Sequence, residues 1–539
     1  MSSFIFSRFN RLTQYFLDTN TDNGLIRNRQ YLIIVVIAIS STLLVYAPFI
    51  LHDNIDILFR YWDGPNYAYL AKSLYSVPTD HPLNAYTTPE YFAAHLPVYP
   101  LSIRLFSFMG YFNAMLFTSA LYATLATIVL YQLLLETRVV ENPLWSAIIS
   151  LFIPARYLIY HSIGATEAPF LFFTLSSLLA YVRGHYVLAF ILGGISGITR
   201  ITGILIGGAY FMTLVFERKW KTIPLLSIIA LPLFLTFVFY HFHYGDFFAY
   251  FGTNYSDSNK LISLIPFDIF RTYSSLGETH SAEFYLILYA IYGVGTALLW
   301  NINRLFFWFC SITLTFSIFI YHQDVSRYMI PMAPLAIVVA YDKILSQTPV
   351  KFVFLPAVFL AYIYSWGVLE ENVVDKRTYY QLTSYLDGSN EIISFQSDLQ
   401  GLSITACRYT NCDSTILSKK SGIKQTPERG LNIYIYREDG SIEFVKKFDH
   451  CVDNDIYLNS QSLSSTIEDN YKDADKILLL SSDTVACRNK KVRGLNDWTT
   501  GLDLKKLENI RFRETYIGVV DLSTYETIEF KSKDLIQFP

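Results

Sequence analysis

Asp63 is the residue whose type and position most directly suggest chemistry in this sequence. It follows Trp62 in the first polar stretch after the first long apolar run, and Tyr61, Tyr67 and Tyr69 lie close to it along the chain. A carboxylate at a membrane surface can accept a proton from a sugar hydroxyl or help to hold a divalent cation. The alternatives are a solvated aspartate and an interfacial belt of aromatic residues. The length of this polar stretch favours an enzyme that acts on a lipid-linked substrate over a channel.

A second set of ionisable residues lies at the ends of later apolar runs: Arg156, His161, Glu167, Arg200, Asp324 and Arg327. A charged group within a membrane span costs about 2.5–3.5 kcal/mol on insertion scales, so each of them is a candidate functional residue. The alternative is that each side chain extends to the membrane interface. Because guanidinium groups bind phosphates bidentately, several arginines on one face predict a phosphorylated lipid as the ligand.

The composition indicates which parts of the chain carry these residues. Of the 539 residues, 52% are hydrophobic and 16% are charged, whereas soluble domains have about 25% charged residues. The pattern predicts a cytoplasmic segment at 1–30, a transmembrane region at 31–369 with an outer loop at 52–110, and a soluble domain at 370–539. The net charge of −3, without a basic stripe, predicts no nucleic-acid partner.

Eleven apolar runs predict a mainly α, polytopic bundle of about eleven spans, at 31–51, 112–135, 143–154, 166–182, 186–196, 203–216, 223–243, 284–300, 305–321, 328–341 and 352–369. Lys and Arg are denser in the segments on the N-terminal side of the membrane, so we expect a cytoplasmic N-terminus. An odd number of spans then places the C-terminal domain outside. In the outer loop, Leu101, Leu105 and Phe108 share one side, which predicts a helix in the membrane interface.

The C-terminal domain has the sequence features of a small α/β fold. Strand-like runs at 431–436, 476–480 and 516–520 alternate with helical stretches. Four of the five cysteines also fall there: Cys407, Cys412, Cys451 and Cys487. They can form two disulfides if the domain faces an oxidising compartment, with three possible pairings, or remain free thiols. The absence of CxxC spacing argues against a zinc site.

Four segments of the chain resemble the GT-C superfamily of membrane glycosyltransferases, and most closely its PIG-V-type mannosyltransferases and their prokaryotic relatives. The first two are Arg60-Tyr61-Trp62-Asp63-Gly64, similar to an Arg-Trp-Asp element, and His95-Leu96-Pro97-Val98-Tyr99-Pro100-Leu101, similar to Phe-Pro-Leu-Tyr-Pro-Leu. The third is Thr166-Glu167-Ala168 followed by Ile198-Thr199-Arg200, similar to Ser-Glu-Ser and Leu-Thr-Arg. The fourth is Arg327-Tyr328-Met329-Ile330-Pro331, similar to Arg-Tyr-hydrophobic-Pro. The chain departs from the family pattern at His95 and Ala168.

The resemblance implies a polyprenyl-phosphate sugar as the donor, transfer on the extracytoplasmic face with inversion, and Asp63 as the catalytic carboxylate. We expect Arg200 and Arg327 to hold the donor phosphate, and the sugar to be mannose. The expected pocket residues are Arg60, Trp62, His95, His161, Glu167, Asp324 and Tyr328. No cofactor is required, although a divalent cation near Asp63 is compatible with the sequence. The acceptor is a lipid, a glycan or a protein.

Two other classes of function are compatible with parts of the sequence. A transporter or flippase for a lipid-linked glycan would also use short helices, but it predicts internal repeats, and none is evident. A receptor or scaffold with an outer binding domain does not explain the polar residues along the outer edge of the spans. A bacterial or archaeal plasma membrane fits the chain best, and the endoplasmic reticulum is the alternative.

Overall fold

A computed structural model of the chain describes residues 24–52, 54–79, 81–84, 87–254, 261–276, 279–374, 376–387, 402–406, 414–449, 471, 473–482, 485, 502, 504–508, 510, 514–532 and 536–538. The chain divides into two compact units. The first comprises Met1–Thr79 and Thr87–Val373, and the second comprises Asp80–Tyr86 and Val374–Pro539. A short piece of the predicted outer loop therefore belongs to the C-terminal unit, which the sequence did not indicate.

The described part of the first unit is helical. Its α-helices are α1 Gly24–Leu51, α2 Asp56–Arg60, α3 Gly64–Ser73, α4 Val98–Leu105, α5 Tyr111–Thr137, α6 Pro143–Ile149, α7 Ala155–Tyr160, α8 Glu167–Val182, α9 Tyr186–Gly197, α10 Leu205–Phe216, α11 Ser227–Tyr244, α12 Ala249–Asn254, α13 Asp268–Ser275, α14 Thr279–Ile302, α15 Arg304–Ser317, α16 Val325–Met329, α17 Asp342–Leu345 and α18 Thr348–Leu369. Shorter 3-10 segments are Pro89–Ala94, Ser107–Met109, Ile201–Ile204, Trp220–Leu226 and Ile330–Met332, and Pro334–Val339 is a π-helix.

Among the described residues, five helical segments are long and apolar enough to cross a membrane: Asn28–Leu51, Tyr111–Thr137, Trp220–Tyr244, His280–Ile302 and Thr348–Leu369. Each coincides with one of the predicted spans, and together they indicate a membrane protein. Four further predicted spans are apolar helices of 10–17 residues: Glu167–Val182, Tyr186–Gly197, Ile201–Phe216 and Arg304–Ser317. These are shorter than the roughly 20 residues that span the hydrocarbon core without distortion.

The structure does not support eleven full-length spans, and two of the predicted ones are broken. The run at 143–154 forms a helix over Pro143–Ile149 that ends before Pro154. The run at 328–341 is divided among the end of α16, the 3-10 segment Ile330–Met332 and the π-helix Pro334–Val339. Proline lacks a backbone N–H and clashes with the preceding turn, so it ends or distorts an α-helix whatever the hydropathy of its neighbours. A hydropathy pattern does not register this effect.

Helices α9 and α11 approach each other closely because α9 carries glycines. A Cβ atom added at Gly194 would lie 2.8 Å from Pro232 Cγ and 3.0 Å from the Ile229 carbonyl oxygen. Contacts this short exclude any larger residue there, as in other small-residue helix interfaces within membranes. This close packing holds the end of α9 that leads to Arg200.

Helix α4 has one buried side and one exposed apolar side. Tyr99 and Ile103 are fully buried, whereas Leu101 is half exposed and Leu105 exposes 72% of its surface. Phe108, in the 3-10 segment that follows the helix, exposes 82%. The three residues that the sequence placed on one side are therefore the exposed ones. Their insertion in a membrane interface stays a prediction.

The described residues of the C-terminal unit are mainly β. One sheet has the order β3-β2-β1-β9 and the other β5-β4-β6-β7-β8, and all their pairings are antiparallel. The strands are β1 Leu402–Ala406, β2 Thr415–Ser418, β3 Lys424–Gln425, β4 Gly430–Tyr436, β5 Ile442–Phe448, β6 Lys476–Ser482, β7 Thr515–Asp521, β8 Thr527–Ser532 and β9 Ile536–Phe538. The described helices are α19 Lys376–Asp387 and α20 Lys505–Glu508.

The three predicted strands are the central strands β4, β6 and β7. Both faces of β4 are buried, because Ile433 and Tyr434 belong to hydrophobic clusters on opposite sides of the sheet. Burial on both faces explains the continuous apolar runs that identified these strands in the sequence. The described part of this unit is antiparallel β with two helices, so a C-terminal β region is confirmed, and the finer α/β assignment stays a prediction. The four C-terminal cysteines lie outside the described residues, and Cys310 is a buried free thiol.

Candidate functional site

The backbone at Trp62 has a conformation that sets the position of Asp63. Trp62 has φ 48°, which is uncommon for a residue with a side chain. Its N–H donates to the Asn372 carbonyl oxygen at 2.9 Å, and Tyr61 pairs with Val373. These contacts hold the turn in place. Asp63 then precedes α3 without capping it, and its side chain is 22% exposed, so the carboxylate remains accessible.

Arg327 lies between two carboxylates that are far apart in the sequence. Its Nη1 is 3.7 Å from Asp63 Oδ2, and its Nε donates to Glu167 Oε1. The guanidinium group is only 9% exposed, so water screens these contacts weakly. Arg327 therefore joins the start of α3 to the start of α8.

Glu167 is the first residue of α8 and is fully buried. Its Oε1 accepts hydrogen bonds from both Arg200 Nη1 and Arg327 Nε, while its Oε2 has no hydrogen-bond partner in the part of the chain that the structure describes. A carboxylate is also stabilised at a helix N-terminus. Asp63, Glu167, Arg200 and Arg327 form what we call the central cluster, with two negative and two positive charges.

A second ion network, which we call the Asp324 network, lies next to the central cluster. Asp324 Oδ2 accepts hydrogen bonds from Arg156 Nε at 3.2 Å, Arg156 Nη2 at 2.6 Å and the Tyr160 hydroxyl at 2.9 Å. Arg156 also donates to the Tyr364 hydroxyl on α18. Burial raises the pKa of Asp324, but Arg156 outweighs it, so the pKa lies below the ordinary value and the carboxylate is charged.

Aromatic rings line the region around the central cluster. The His95 ring packs edge-on against Tyr67 at 4.9 Å and Tyr91 at 5.2 Å, and the Arg200 guanidinium lies 5.4 Å from the centre of the Tyr328 ring. His95 is buried, and burial lowers its pKa more than the nearby Asp63 raises it. We therefore expect a neutral imidazole near neutral pH.

Three predicted pocket residues make their contacts elsewhere. Arg60 Nε lies 3.0 Å from Asp56, one helical turn earlier on α2. Trp62 exposes 38% of its surface. The His161 ring lies between Thr42 on α1, at 3.4 Å, and Ser162, at 3.2 Å. The roles of these three residues in the pocket stay predictions.

Tyr67 was already evident in the sequence as one of the aromatic residues near Asp63, whereas Tyr160 and Tyr91 were not. Arg156 and Tyr160 are four residues apart, so they lie on one face of a helix, and this spacing was the available signal for Tyr160. No comparable signal existed for Tyr91, because 17% of the chain is aromatic.

An apolar groove of about 530 Å³ opens beside the segments that carry the site. Its lining residues come from the end of α3, the start of α4, the end of α9 and the middle of α11: Leu74, Tyr75, Pro97, Leu101, Ile198, Leu231, Pro232, Leu235, Thr236, Phe239 and Tyr240. Ile198 is two residues before Arg200, and Pro97 is two residues after His95. The groove therefore shares one short segment of chain with Arg200 of the central cluster and another with His95.

Among the described residues, no three His, Cys, Asp or Glu side chains come together as a metal site. The carboxylate of Asp63 faces an arginine, and a divalent cation near it stays a prediction. Comparisons of the sequence with models of known protein families and with curated proteins found no match.

Proposed function

We propose that this protein is an integral-membrane glycosyltransferase. It moves a sugar, with mannose as the first candidate, from a polyprenyl-phosphate donor to an acceptor hydroxyl, with inversion at the anomeric carbon. The observation that carries the proposal is the central cluster, in which an accessible carboxylate, Asp63, lies 3.7 Å from an arginine that a buried glutamate also holds. This arrangement offers a base and a phosphate-binding group within one site.

In the proposed reaction, Asp63 is the general base. The acceptor oxygen forms a bond to the anomeric carbon as its proton passes to the Asp63 carboxylate. The bond between the anomeric carbon and the phosphate oxygen breaks, and its electron pair leaves with the polyprenyl phosphate. A positioned base of this kind contributes about 10²–10⁴-fold to the rate.

The charges of the central cluster suit this reaction. The donor is a phosphodiester with one negative charge, and the departing lipid phosphate gains a second as Asp63 is neutralised by the proton. The total charge of the site is therefore constant through the step, while negative charge moves from Asp63 toward the phosphate. Arg200 and Arg327 can stabilise this negative charge both on the carboxylate and on the phosphate, because guanidinium groups bind the two anions in the same geometry. Fixed charges that match the developing charge are usually the largest contribution to catalysis.

The apolar groove supports a lipid-linked donor. Its walls are almost entirely hydrocarbon, and it lies next to the segments that carry Arg200 and His95. A polyprenyl chain in the groove would place its phosphate near the arginines. We further propose that the N-terminus is cytoplasmic and that the site and the C-terminal unit face outside, in a prokaryotic plasma membrane.

The proposal is tested by a transfer assay in purified membranes with a panel of radiolabelled polyprenyl-phosphate sugars. The acceptor fraction of the same membranes is added in excess. Wild-type protein should then transfer label from one of the donors to an acceptor. If well-folded protein transfers label from none of the donors, the proposal is wrong, and translocation of the intact donor across proteoliposomes becomes the measurement for a flippase.

Replacement of Arg200 by glutamine should raise the KM for the donor about 10–100-fold. A hydrogen bond to a charged group is worth about 1.5–3 kcal/mol, and the more exposed arginine of the cluster is the one that meets the donor first. Donor saturation curves measure the effect. Arg183→Gln is the control, since Arg183 follows the end of α8, the helix that Glu167 begins, and forms an exposed pair with Glu136. An equal loss in both variants, or a change in acceptor KM alone, would contradict the role of Arg200.

A bulkier residue in the groove should weaken use of the long-chain donor. Leu235→Trp adds volume where the lipid chain is expected, and the loss of one or two buried methylene groups, at about 0.8 kcal/mol each, raises the donor KM about tenfold. A donor with a short lipid chain should be affected much less. Leu188→Trp, at a half-exposed apolar position on α9, is the control. If Leu235→Trp changes the KM of the long-chain donor no more than that of the short-chain donor, the groove is not part of the donor site.

A further inference from the structure

One aromatic side chain connects the central cluster to the Asp324 network. The centre of the Tyr160 ring lies 4.4 Å from Arg327 Cζ, and the Tyr160 hydroxyl donates to Asp324 Oδ2 at 2.9 Å. Arg156 Cζ also lies 5.5 Å from the centre of the same ring. Tyr160 is the last residue of α7 and is 1% exposed. Its ring and its hydroxyl therefore contact different charged groups.

The ring provides a support that Arg327 lacks elsewhere in the central cluster. Glu167 fixes the position of Nε, and Asp63 approaches Nη1 at the longer distance of 3.7 Å. These in-plane contacts leave the tilt of the guanidinium plane open. A ring against the guanidinium fixes that tilt and also attracts the cation through its negative face. The tilt decides whether Nη1 points at Asp63 and at the departing phosphate.

The hydrogen bond from the Tyr160 hydroxyl is less important to Asp324 than the contacts from Arg156. Asp324 Oδ2 receives two hydrogen bonds from Arg156 besides the one from Tyr160, so the carboxylate stays paired when the hydroxyl is removed. Asp324 also accepts from Ser326 at 2.9 Å, within the loop that leads to Arg327. The loop is therefore held mainly by Arg156, and the guanidinium plane mainly by the ring.

We infer that Tyr160 is a positioning residue of the transfer reaction, whose ring sets the orientation of Arg327 between Asp63 and the donor phosphate. The inference rests on the proposed function. Loss of the Tyr160 ring should lower kcat, because the departing phosphate needs a correctly oriented Arg327. It should change the donor KM much less, because Arg200 still binds the donor when Arg327 is tilted.

Three variants in the full-length protein separate the ring from the hydroxyl and from general packing. Tyr160→Phe keeps the ring, and it should retain at least half of the wild-type kcat. Tyr160→Leu removes the ring, and it should lower kcat about 10–100-fold with the donor KM within about threefold of wild type. Tyr157→Leu removes another buried ring from the same helix, one that packs on His161, and should keep a wild-type kcat.

A second measurement keeps the test decisive if Tyr160→Leu does not accumulate in the membrane. Fluorinated phenylalanines incorporated at position 160 preserve the shape of the ring while weakening the negative face that attracts a cation. The inference expects kcat to fall stepwise with the number of fluorine atoms. A constant kcat across that series overturns it, as does a loss in Tyr160→Phe equal to that in Tyr160→Leu. Failure of the proposed function is distinct, because wild-type protein then transfers no label at all.

Discussion

Asp63→Asn should abolish sugar transfer while the protein accumulates in the membrane at wild-type amounts. Asparagine has nearly the same shape as aspartate, but it cannot take a proton from the acceptor hydroxyl. Loss of a general base lowers the rate about 10²–10⁴-fold, and loss of the charge also removes the partner of Arg327 at 3.7 Å. The measurement is the initial rate of label transfer at saturating donor and acceptor.

The matched control for this substitution is Asp268→Asn at the first residue of α13. Asp268 has the same exposed fraction as Asp63, 22%, and it also lies 3.8 Å from an arginine, Arg271. We expect this variant to transfer label at the wild-type rate. Transfer by Asp63→Asn within about threefold of wild type would show that another group takes the proton, and the assignment of Asp63 would be wrong.

Glu167→Gln should destabilise the protein and abolish transfer together. The glutamate is fully buried, and it is the shared partner of Arg200 and Arg327. Removal of one partner from a buried ion pair costs about 3–5 kcal/mol, because a charge is left without compensation in a weakly polar environment. We expect a lower Tm in detergent and a loss of transfer of about a hundredfold or more.

A double variant separates the stability effect from the catalytic one. Arg200→Gln in the Glu167→Gln background removes the one excess positive charge, because Asp63 still pairs with Arg327, so part of the lost Tm should return while transfer stays absent. Glu136→Gln is the control for loss of an exposed pair, which is worth about 0.2–1 kcal/mol, and it should leave both quantities unchanged. A wild-type Tm in Glu167→Gln would mean that the arginines find other partners, and the central cluster would not depend on this carboxylate.

The sequence predicted the long helices well and the broken ones poorly. The run at 112–135 contains no proline and forms one continuous helix, so hydropathy alone identifies it. The run at 328–341 has the same hydropathy, but Pro331 and Pro334 divide it into short segments. Backbone hydrogen bonding, which hydropathy does not include, decides these cases. In the C-terminal unit, central strands were predictable from apolar runs, while the antiparallel pairing was not.

The charged residues of the site could be predicted because a charge is rare within an apolar run. Glu167, Arg200 and Arg327 stood out in the sequence for this reason, and the structure brings them together with Asp63. Tyr160 could not be distinguished in the same way, since an aromatic residue in an apolar environment is ordinary. The groove was also beyond the sequence, because its lining residues are apolar side chains from four separate helices.

The division of the chain has a consequence for attempts to exchange or remove its C-terminal part. The polypeptide leaves the first unit after Thr79, contributes Asp80–Tyr86 to the second unit and returns at Thr87, between Asp63 and His95. A truncation after Val373 would therefore delete most of the second unit but leave its segment Asp80–Tyr86 in the remaining chain. A chimaera that replaces the C-terminal part therefore has to replace Asp80–Tyr86 as well. A single junction in the sequence cannot exchange the whole second unit, because its two segments are separated by most of the first unit.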